Sequence, residues 1–529
     1  MTESVFAALL AGRAEALRLL PGRFADPQAW RGAAEVASER RVAPPLIEEL
    51  ARQSAGLPRC DARERNLELL GRAGTSVVVT GQQVGLFGGP LYTLHKAATA
   101  IARARMVTEL SGRPCVPLFW LQTEDHDYAE IAQIAVAAPS GRVTLALPQD
   151  PQPSRIAVAH RTLPDDVAAL LDRLADLLAP LPHAAEVLTL LRTHYAPGRP
   201  LALAFTGLLA ELWRGHGLLI LDPRVPAVAR LAAPLMKRAL GEHAAIAADL
   251  SDRAAAIAQA GCSEQVHTRA DAALVFFHPE GSAGPRYRLV RRGDAWETPA
   301  GPVSQGVLDE TLTRDPLRFS SSALLRPLVQ DTLLPTCAYV GGPAEVAYFA
   351  QLPPLYARFG VPMPLIAPRA RLRVIDATTR SLLGRLGLCA ADFDLPRTTL
   401  LTRTASDSNA SPNVQELRAH LLGALERELE ALTALGLHQL ADPIRRARET
   451  CASALHKLAD KVERAALERD QVNCERVDRV IAALRPDGVP QERAYGFAAL
   501  AARSGTDALL RAILEGAVPL DPAVRDVCP

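Results

Sequence analysis

A short β-branched segment, a glycine-rich turn and a long helical pattern follow one another and constrain the fold most strongly. Residues 75–79, TSVVV, predict a buried strand, and the turn after them leads into the helical pattern of residues 90–110. Ser-Gly-Arg-Pro at 111–114 ends that helix, and CVPLFWLQ at 115–122 predicts a second buried strand. Such a strand-helix-strand unit indicates a parallel sheet with a right-handed crossover.

The same alternation of strands and helices returns further along the chain. GLLILDP at 217–223 predicts a third buried strand, and PTCAYV at 335–340 and MPLIAPR at 363–369 predict two more. Two segments that lack this alternation are expected to be insertions. The first, near 136–200, contains a Leu/Ala-rich helix and the strand-like piece RIAVAH, and the second, near 267–305, is typical of antiparallel strands. The core is therefore expected to be an α/β fold.

The C-terminal third carries two long helical patterns. Residues 413–436 and 440–484 are joined near Gly436, which predicts an antiparallel hairpin. A coiled-coil seam with mixed three- and four-residue steps runs along the second helix until Arg469 interrupts it, and comprises Ile444, Ala447, Cys451, Leu455, Leu458, Val462 and Ala465. The seam fits a dimer interface and an intramolecular helix pair equally well. The predicted domains are a core at 1–385, a helical coiled-coil hairpin at 386–490 and a C-terminal helix returning to the core at 491–529.

The composition is that of a globular protein that binds small molecules. Hydrophobic residues make up 49% and charged residues 22%, and 59 basic side chains nearly balance 58 acidic ones. No global field therefore favours nucleic acid or a membrane surface. The N-terminal segment has an early acid and interrupted apolar residues, and no apolar run approaches a membrane span, so we expect a cytoplasmic protein. The eight cysteines are scattered without zinc spacing, and no metal site is predicted.

The turn after the first strand is the first candidate binding site. Its glycines expose backbone N–H groups beside the positive end of a helix, which suits a carboxylate or a phosphate. Neither common nucleotide fingerprint is matched, because the glycine and lysine spacings fail. Tight packing of the glycines is the alternative. We assign five residues of this segment to substrate binding: Thr80, Gly81, Gln82, Gln83 and Gly89.

Polar residues follow the second strand abruptly and form the candidate catalytic group: Glu124, Asp125, His126 and Asp127. They fall at the carboxyl end of a parallel strand, where open α/β sheets bind ligands, and clustered carboxylates around an imidazole shift each other's proton affinities. His126 is a candidate base or acid. A divalent metal is an alternative, although adjacent residues at a strand end point in different directions. Capping of the following helix by Glu124 and Asp125 is another.

A third cluster surrounds the last α/β unit and is also assigned to substrate binding: Arg326, Gln330, Asp331, Tyr339, Gly341, Gly342, Glu345, Tyr348 and Arg369. Arg326 and Gln330 share a helix face. An arginine there suits a bidentate grip on a substrate carboxylate, whereas pairing with a core acid such as Asp331 or Glu345 is the alternative. The sequence leaves both open.

Several blocks together resemble the bacillithiol biosynthesis cysteine-adding enzymes: TGQQVGLFGGPLYTLHKA, PLFWLQTEDHDYAEI, LRPLVQDTLLPTCAYVGGPAEVAYFAQL and MPLIAPR. Their order and spacing agree with the family, and the resemblance covers most of the chain, including the late hairpin and RPDGVPQER. It implies a Rossmann-like core with two connecting-peptide insertions and a coiled coil that forms a homodimer. Gly88, where threonine is expected, and Leu94, where isoleucine is more usual, are modest departures that remove no catalytic group.

The resemblance also implies an activity: a ligase that joins cysteine through its carboxyl group to the amino group of glucosaminyl-malate. The TGQQ turn would then hold the malate carboxylates or an activated cysteine, and the acids at 124–127 would bind an ammonium. Amide formation needs an activated carboxyl group, so ATP with magnesium is possible, but no standard nucleotide motif is present and the cofactor stays open. Another amide- or adenylate-forming enzyme and a non-catalytic dimeric scaffold remain as alternatives.

Overall fold

The computed structural model describes residues 3–138, 141–150, 155–404, 412–436, 441–468 and 471–529. The chain divides into two compact units, one formed by Met1–Val374 with Glu492–Pro529 and the other by Ile375–Gln491. The sequence-based boundaries at 385/386 and 490/491 lie eleven residues and one residue from these divisions. No helix in the described ranges is both long enough and apolar enough to cross a membrane.

The described strands are, in chain order, β1 (Glu3–Ser4), β2 (Ser76–Gln82), β3 (Cys115–Leu121), β4 (Gln133–Ala138), β5 (Gly141–Ala146), β6 (Leu219–Leu221), β7 (Cys262–Ser263), β8 (Ala272–Phe277), β9 (Tyr287–Arg292), β10 (Ala295–Thr298), β11 (Gly301–Ser304), β12 (Phe319–Ser321), β13 (Thr336–Gly341), β14 (Leu365–Pro368), β15 (Arg371–Val374) and β16 (Val524–Val527). The described α-helices are α1 (Val5–Leu10), α2 (Ala14–Leu17), α3 (Pro27–Ser38), α4 (Pro44–Ala55), α5 (Asp61–Leu70), α6 (Tyr92–Ser111), α7 (Tyr128–Ile131), α8 (Asp166–Leu178), α9 (Ala184–His194), α10 (Leu201–Leu212), α11 (Pro226–Gly241), α12 (His243–Gln259), α13 (Gln305–Arg314), α14 (Arg326–Leu333), α15 (Pro343–Phe349), α16 (Pro353–Phe359), α17 (Ala377–Leu386), α18 (Arg397–Thr404), α19 (Pro412–Ala434), α20 (Ala441–Glu468), α21 (Gln471–Leu484), α22 (Gln491–Ala494), α23 (Ala498–Ser504) and α24 (Thr506–Gly516).

A five-stranded parallel sheet forms the centre of the first unit, in the order β14-β13-β2-β3-β6. Its strands are continuous apolar runs because helices cover both faces, and Val77, Val78 and Val79 are fully buried. From β2 the chain proceeds to β3 and β6 in one direction, and β13 and β14 lie on the other side of β2. The strand order therefore reverses between β2 and β13, which is where sheets of this kind bind ligands. The predicted parallel α/β core is confirmed.

Helix α6 is the crossover between β2 and β3. It is buried along most of its length because α3 and α24 pack against it as well as the sheet. It ends at Gly112, whose φ of 68° is left-handed and whose N–H donates to the Thr108 carbonyl. The breaker at 111–114 therefore ends the helix as the sequence predicts.

The first insertion, between β3 and β6, contains in its described residues the β4–β5 hairpin and four helices, α7, α8, α9 and α10. The expected strand RIAVAH is wrong, because Val158–His160 forms a 3-10 turn. Its N–H groups bond to the loop after β3, from Val158 to the Asp125 carbonyl at 2.7 Å and from Ala159 to the Thr123 carbonyl at 3.0 Å. A tertiary contact, and not a neighbouring strand, therefore satisfies this backbone.

The second insertion contains an antiparallel sheet in the order β11-β10-β9-β8-β12. The antiparallel strands expected near 267–305 are confirmed, and the sheet continues beyond that range to Ser321 in β12. Through β12 this sheet reaches the chain segment that leads directly into α14.

The second unit is helical. Residues of α17, α18 and α21 share one apolar cluster, and α19 and α20 pack side by side with an ion pair between Arg448 and Glu426 at 2.5 Å. Of the predicted seam, Ala447, Cys451 and Leu458 are exposed and Leu455 is half-buried. Leu437, Arg469 and the side chains of Ile444, Val462 and Ala465 lie outside the described residues.

Gly81 provides a stability test for the sheet. A Cβ on this residue would lie 2.7 Å from the Trp120 carbonyl oxygen in β3, so Gly81→Ala must push two paired strands apart. We expect a loss of about 1–3 kcal/mol in the free energy of unfolding, measured as a lower melting temperature. The control, Gly32→Ala, lies in α3 with open space around its Cβ and should melt at or above the wild-type temperature. Equal melting of Gly81→Ala and wild type would contradict the close approach.

Candidate active site

A cavity of about 490 Å³ lies at the carboxyl ends of β2, β3 and β13, where the strand order reverses. Nine of the predicted site residues line it: Gln82, Glu124, Asp125, His126, Arg326, Gly342, Glu345, Tyr348 and Arg369. The other nine do not line it: Thr80, Gly81, Gln83, Gly89, Asp127, Gln330, Asp331, Tyr339 and Gly341. The three sequence clusters therefore converge on one cavity, with part of each cluster behind its wall.

Lys96 of α6 is a buried cation at the base of the cavity. It is 2% exposed, and its Nζ donates to the Gly81 carbonyl at 2.7 Å, to Gln82 Oε1 at 2.9 Å and to Glu345 Oε2. Burial lowers the pKa of Lys96, and the negative charge of Glu345 opposes that shift. Three acceptors around Nζ favour the ammonium form and use all three of its N–H donors. Lys96 therefore joins parts of the protein and has no donor left for a ligand.

Glu345 is the acid that Lys96 contacts. Its Oε1 accepts from the Tyr339 hydroxyl at 2.6 Å, and its Oε2 accepts from the Gly342 N–H at 2.7 Å as well as from Lys96. Burial alone would raise the pKa of Glu345, but the charge and hydrogen bond of Lys96, with the bonds from Tyr339 and Gly342, lower it. An ionised Glu345 therefore links the turn after β13 to Lys96 of α6.

Arg326 is buried beside this pair. Its Nη1 donates to Gln330 Oε1 at 3.0 Å, its Nη2 donates to the Tyr348 hydroxyl at 2.9 Å, and its guanidinium lies 5.3 Å from the centroid of the Tyr339 ring. No carboxylate in the described residues forms an ion pair with it. Arg326 therefore places a positive charge in the cavity wall, and the side chains that accept its hydrogen bonds are uncharged.

Asp331 was one of two core acids considered as a partner of Arg326. Its Oδ1 accepts from Gln330 Nε2 at 2.8 Å, and its Oδ2 accepts from the Tyr356 hydroxyl at 2.5 Å. Burial raises the pKa of Asp331, and those hydrogen bonds oppose the shift. Asp331 therefore supports Gln330 from behind the wall of the cavity.

His126 and Asp125 form a pair at the cavity edge. Asp125 Oδ2 accepts from Gln83 Nε2 at 2.7 Å, and Oδ1 accepts from the His126 backbone N–H at 2.7 Å and lies 3.5 Å from His126 Nδ1. Burial, aided by the charge of Arg286, lowers the pKa of His126, and Asp125 opposes that shift. The imidazole is therefore neutral at pH 7 and can accept a proton. Gln83 orients Asp125 and does not reach the cavity.

Glu124 is fixed by the antiparallel sheet. Its Oε2 accepts from the Ser321 hydroxyl at 2.8 Å and from the Ser321 N–H at 3.3 Å, and its carbonyl accepts from Arg286 Nη1. Arg286 also donates to the Ser321 carbonyl at 3.0 Å. The second insertion therefore contributes to the same cavity as the parallel sheet.

Asp127, and neither Glu124 nor Asp125, caps the helix that follows. Its Oδ1 accepts from the Glu130 N–H at 3.1 Å as the N-cap of α7. Glu124 and Asp125, the two residues for which capping was the alternative, are instead engaged in the tertiary contacts described above. Asp127 is exposed and lies outside the cavity lining.

The glycine turn after β2 is buried and is used in packing. The Gly88 N–H donates to the Tyr195 hydroxyl at 2.9 Å, and the Gly89 N–H donates to a carbonyl of the same turn. At the start of α6, the Leu91 N–H donates to the Tyr495 carbonyl at 2.8 Å. These donors are occupied within the protein, so they are not free for the anion expected there, and Gly89 does not line the cavity.

Arg369, which follows β14, forms a buried ion pair with the C-terminal segment. Its Nη1 and Nη2 lie 2.5 and 2.6 Å from the two carboxylate oxygens of Glu492, and His95 Nδ1 lies 3.1 Å from Glu492 Oε2. Burial alone would raise the pKa of Glu492, but the charge of Arg369 lowers it. The guanidinium also lies 5.4 Å from the centroid of the Tyr92 ring. Arg369 is thus held in place from within the protein.

Sequence reasoning missed most of the other lining residues, among them Tyr92, Lys96, Arg286, Arg288 and Arg493, and it missed the supporting residue Glu492. Lys96 carries no local signal once a P-loop spacing is excluded. Glu492 is 123 residues from Arg369, so no periodicity could pair them. The one available signal was the occurrence of QER within the block RPDGVPQER. Among the described residues, no group of three or more His, Cys, Asp and Glu side chains could hold a metal ion.

Comparison with known proteins gives two family matches. The bacillithiol biosynthesis BshC N-terminal Rossmann-like domain matches residues 2–370, and the BshC C-terminal coiled-coil domain matches residues 373–521. A solved arginyl-tRNA synthetase from Thermus thermophilus aligns at 13% identity over 90% of this chain and 85% of its own, but with a TM-score of 0.21, which does not establish a shared fold.

Relatives described as "Putative cysteine ligase BshC" match over most of the chain. That of Koribacter versatilis is 33% identical over 84% of this chain and 82% of its own length, and that of Solibacter usitatus is 32% identical over 91% and 88%. That of Salinibacter ruber is 32% identical over 89% and 87%. The matches confirm the predicted family, the Rossmann-like core, the coiled-coil domain and the assignment to a ligase enzyme. Since the Rossmann-like match alone covers more than half of its length, the chain belongs to the BshC family of bacillithiol biosynthesis proteins.

Proposed function

We propose that this protein is a cytoplasmic cysteine ligase that joins the carboxyl group of cysteine to the amino group of glucosaminyl-malate, forming bacillithiol. The observation that carries the proposal is the position of the His126 imidazole, with Nδ1 3.5 Å from Asp125 Oδ1, at the edge of a cavity with buried cations in its wall. Membership of the BshC family supports the pair of substrates. The volume of about 490 Å³ lies within the range of small-molecule sites.

The reaction needs a base for the attacking amine. The amine nitrogen attacks the carboxyl carbon of an activated cysteine, and a C–N bond forms. The leaving group departs with the electrons of its bond to that carbon, and the proton released from nitrogen passes to His126. The negative charge of Asp125, whose Oδ1 lies 3.5 Å from His126 Nδ1, stabilises the resulting imidazolium.

The first test incubates purified protein with glucosaminyl-malate and cysteine, with and without Mg-ATP, and follows bacillithiol by mass spectrometry. We expect product, and a loss of at least about a hundredfold in kcat/KM for His126→Gln, because general base catalysis contributes about 10²–10⁴-fold. His267→Gln is the control, since this histidine also lines the cavity but is 87% exposed and paired with Glu264 at 2.6 Å. Product with other amines but none with glucosaminyl-malate would indicate a different amide-forming enzyme.

The pH dependence of kcat tests the protonation state of His126. The base must be neutral, so protonation abolishes its action. Burial and the charge of Arg286 hold the pKa of His126 below the usual value of about 6.5. The decrease in kcat caused by protonation of His126 should therefore begin only below that pH. The amine of the substrate titrates in every variant, so the measurement is the difference between the profiles of wild type and His126→Gln. An acidic limb unchanged in His126→Gln would rule out this base.

We also propose that the protein is a homodimer formed through the coiled coil. The exposure of Ala447, Cys451 and Leu458 supports this, since a seam used only within the hairpin would be covered by α19. Exposed apolar residues in a regular stripe are typical of an interface.

Leu458→Glu should weaken the dimer. Leu458 is 53% exposed, and a twofold interface would bury two copies, so we expect the dissociation constant to rise by at least about a hundredfold. Leu203→Glu is the matched control, because this leucine is 54% exposed on the other unit. Light scattering over a dilution series reports the mass. A monomeric wild type, or equal dissociation of both variants, would contradict the proposed interface.

A further inference from the structure

The cavity lining carries more positive than negative charge. Seven cationic side chains and four carboxylates line it. Two carboxylates behind the lining pair with lining arginines, Asp271 with Arg269 at 2.8 Å and Glu492 with Arg369. One positive charge remains in excess, which favours an anionic ligand.

Most of these cations are already engaged. Lys96 and Arg369 pair with acids, and Arg286 and Arg326 donate to carbonyl, amide or hydroxyl oxygens. Within the described ranges, the lining arginines without a hydrogen bond or ion pair are Arg288 and Arg493. Their guanidinium groups are therefore the least engaged in the lining, whereas Arg286 makes two hydrogen bonds through its Nη atoms and keeps its Nε–H without a partner in the described part of the chain.

Arg493 is the better prepared of the two. The adjacent residue, Glu492, is anchored by its two contacts with Arg369, so the backbone at 493 is fixed beside the cavity. The Arg493 guanidinium lies 5.9 Å from the centroid of the Tyr92 ring, which Arg369 also contacts. Arg288 is also backed by a ring, that of Phe276 at 5.8 Å, but it lies in β9 of the antiparallel sheet and not beside the ion pair of Arg369 with Glu492. Fixing a binding group before the ligand arrives reduces the entropy lost on binding.

We propose that Arg493, supported by Tyr92 and Glu492, binds a carboxylate of the amine substrate and makes the enzyme selective for glucosamine conjugates that carry carboxylates. This inference rests on the proposed function, because it assigns the malate end of glucosaminyl-malate to this corner of the cavity. The guanidinium fork matches a carboxylate with two parallel N–H donors, and the aromatic ring holds its plane. Glu492 acts as a positioning residue through the backbone and Arg369.

The test measures binding by calorimetry, so that it does not depend on turnover. Glucosaminyl-malate and methyl glucosaminide, which has no carboxylate, are titrated into wild type, Arg493→Gln and Arg493→Lys. We expect Arg493→Gln to bind glucosaminyl-malate at least about tenfold more weakly, and Arg493→Lys to fall between it and wild type because it keeps the charge without the fork. Methyl glucosaminide should bind wild type and both variants equally. Arg511→Gln, an exposed substitution in α24 outside the cavity lining, should behave as wild type.

Three outcomes would overturn the inference. Wild type and Arg493→Gln could bind glucosaminyl-malate with equal affinity, or Arg493→Gln could lose the same affinity for glucosaminyl-malate and for methyl glucosaminide. The third outcome is that the wild type does not bind glucosaminyl-malate. Melting temperatures of the variants check that they are folded. Bacillithiol formation is assayed separately. Carboxylate-dependent binding without any product would contradict the proposed ligase activity and leave the role of Arg493 standing.

Discussion

The buried ammonium of Lys96 is the interaction on which the ligand-binding end of the sheet depends. It joins the end of β2, through Gly81 and Gln82, to Glu345 in the helix after β13. These two strands are neighbours, but their chains continue to opposite sides of the sheet, so a gap opens between their turns. Removing one member of a buried charged pair typically costs about 3–5 kcal/mol, since the other is left uncompensated. The ion pair of Lys96 with Glu345 therefore holds the turns after β2 and β13 together across this gap.

Two buried arginines connect the antiparallel sheet to the same end of the core. Arg286 donates to the carbonyls of Glu124 and Ser321, and Arg224 donates to those of Phe319 and Ser282. Carbonyl oxygens accept from the Nη atoms, whereas the Nε atoms of both arginines have no hydrogen-bond partner among the described residues. The negative charge of Glu124 faces both guanidinium groups. An inserted sheet held in this way is a wall of the cavity. Its role in the site could not be inferred from strand patterns, which indicate only that the sheet exists.

The parts predictable from sequence are those whose signal is local. Continuous apolar runs bounded by breakers identified β2, β3 and β13, and the order of those strands with their helices indicated a parallel sheet. RIAVAH was misassigned because its backbone bonds to the loop after β3, which a local pattern cannot reveal. The pairing of Arg369 with Glu492 depends on two segments 123 residues apart. The glycine turn was located correctly, but whether its N–H groups face a ligand or Tyr195 is a matter of packing.

The excess positive charge links substrate binding to the state of the base. Burial, and after it the charge of Arg286, lowers the pKa of His126, which favours the neutral imidazole when a carboxylate-bearing substrate binds. Only the neutral form of the substrate amine has the lone pair that attacks a carbonyl carbon. Transfer of its proton to His126 creates an imidazolium that Asp125 stabilises. In the proposed reaction, the arginines around the cavity therefore favour the anionic substrate, and Arg286 also favours the neutral form of His126.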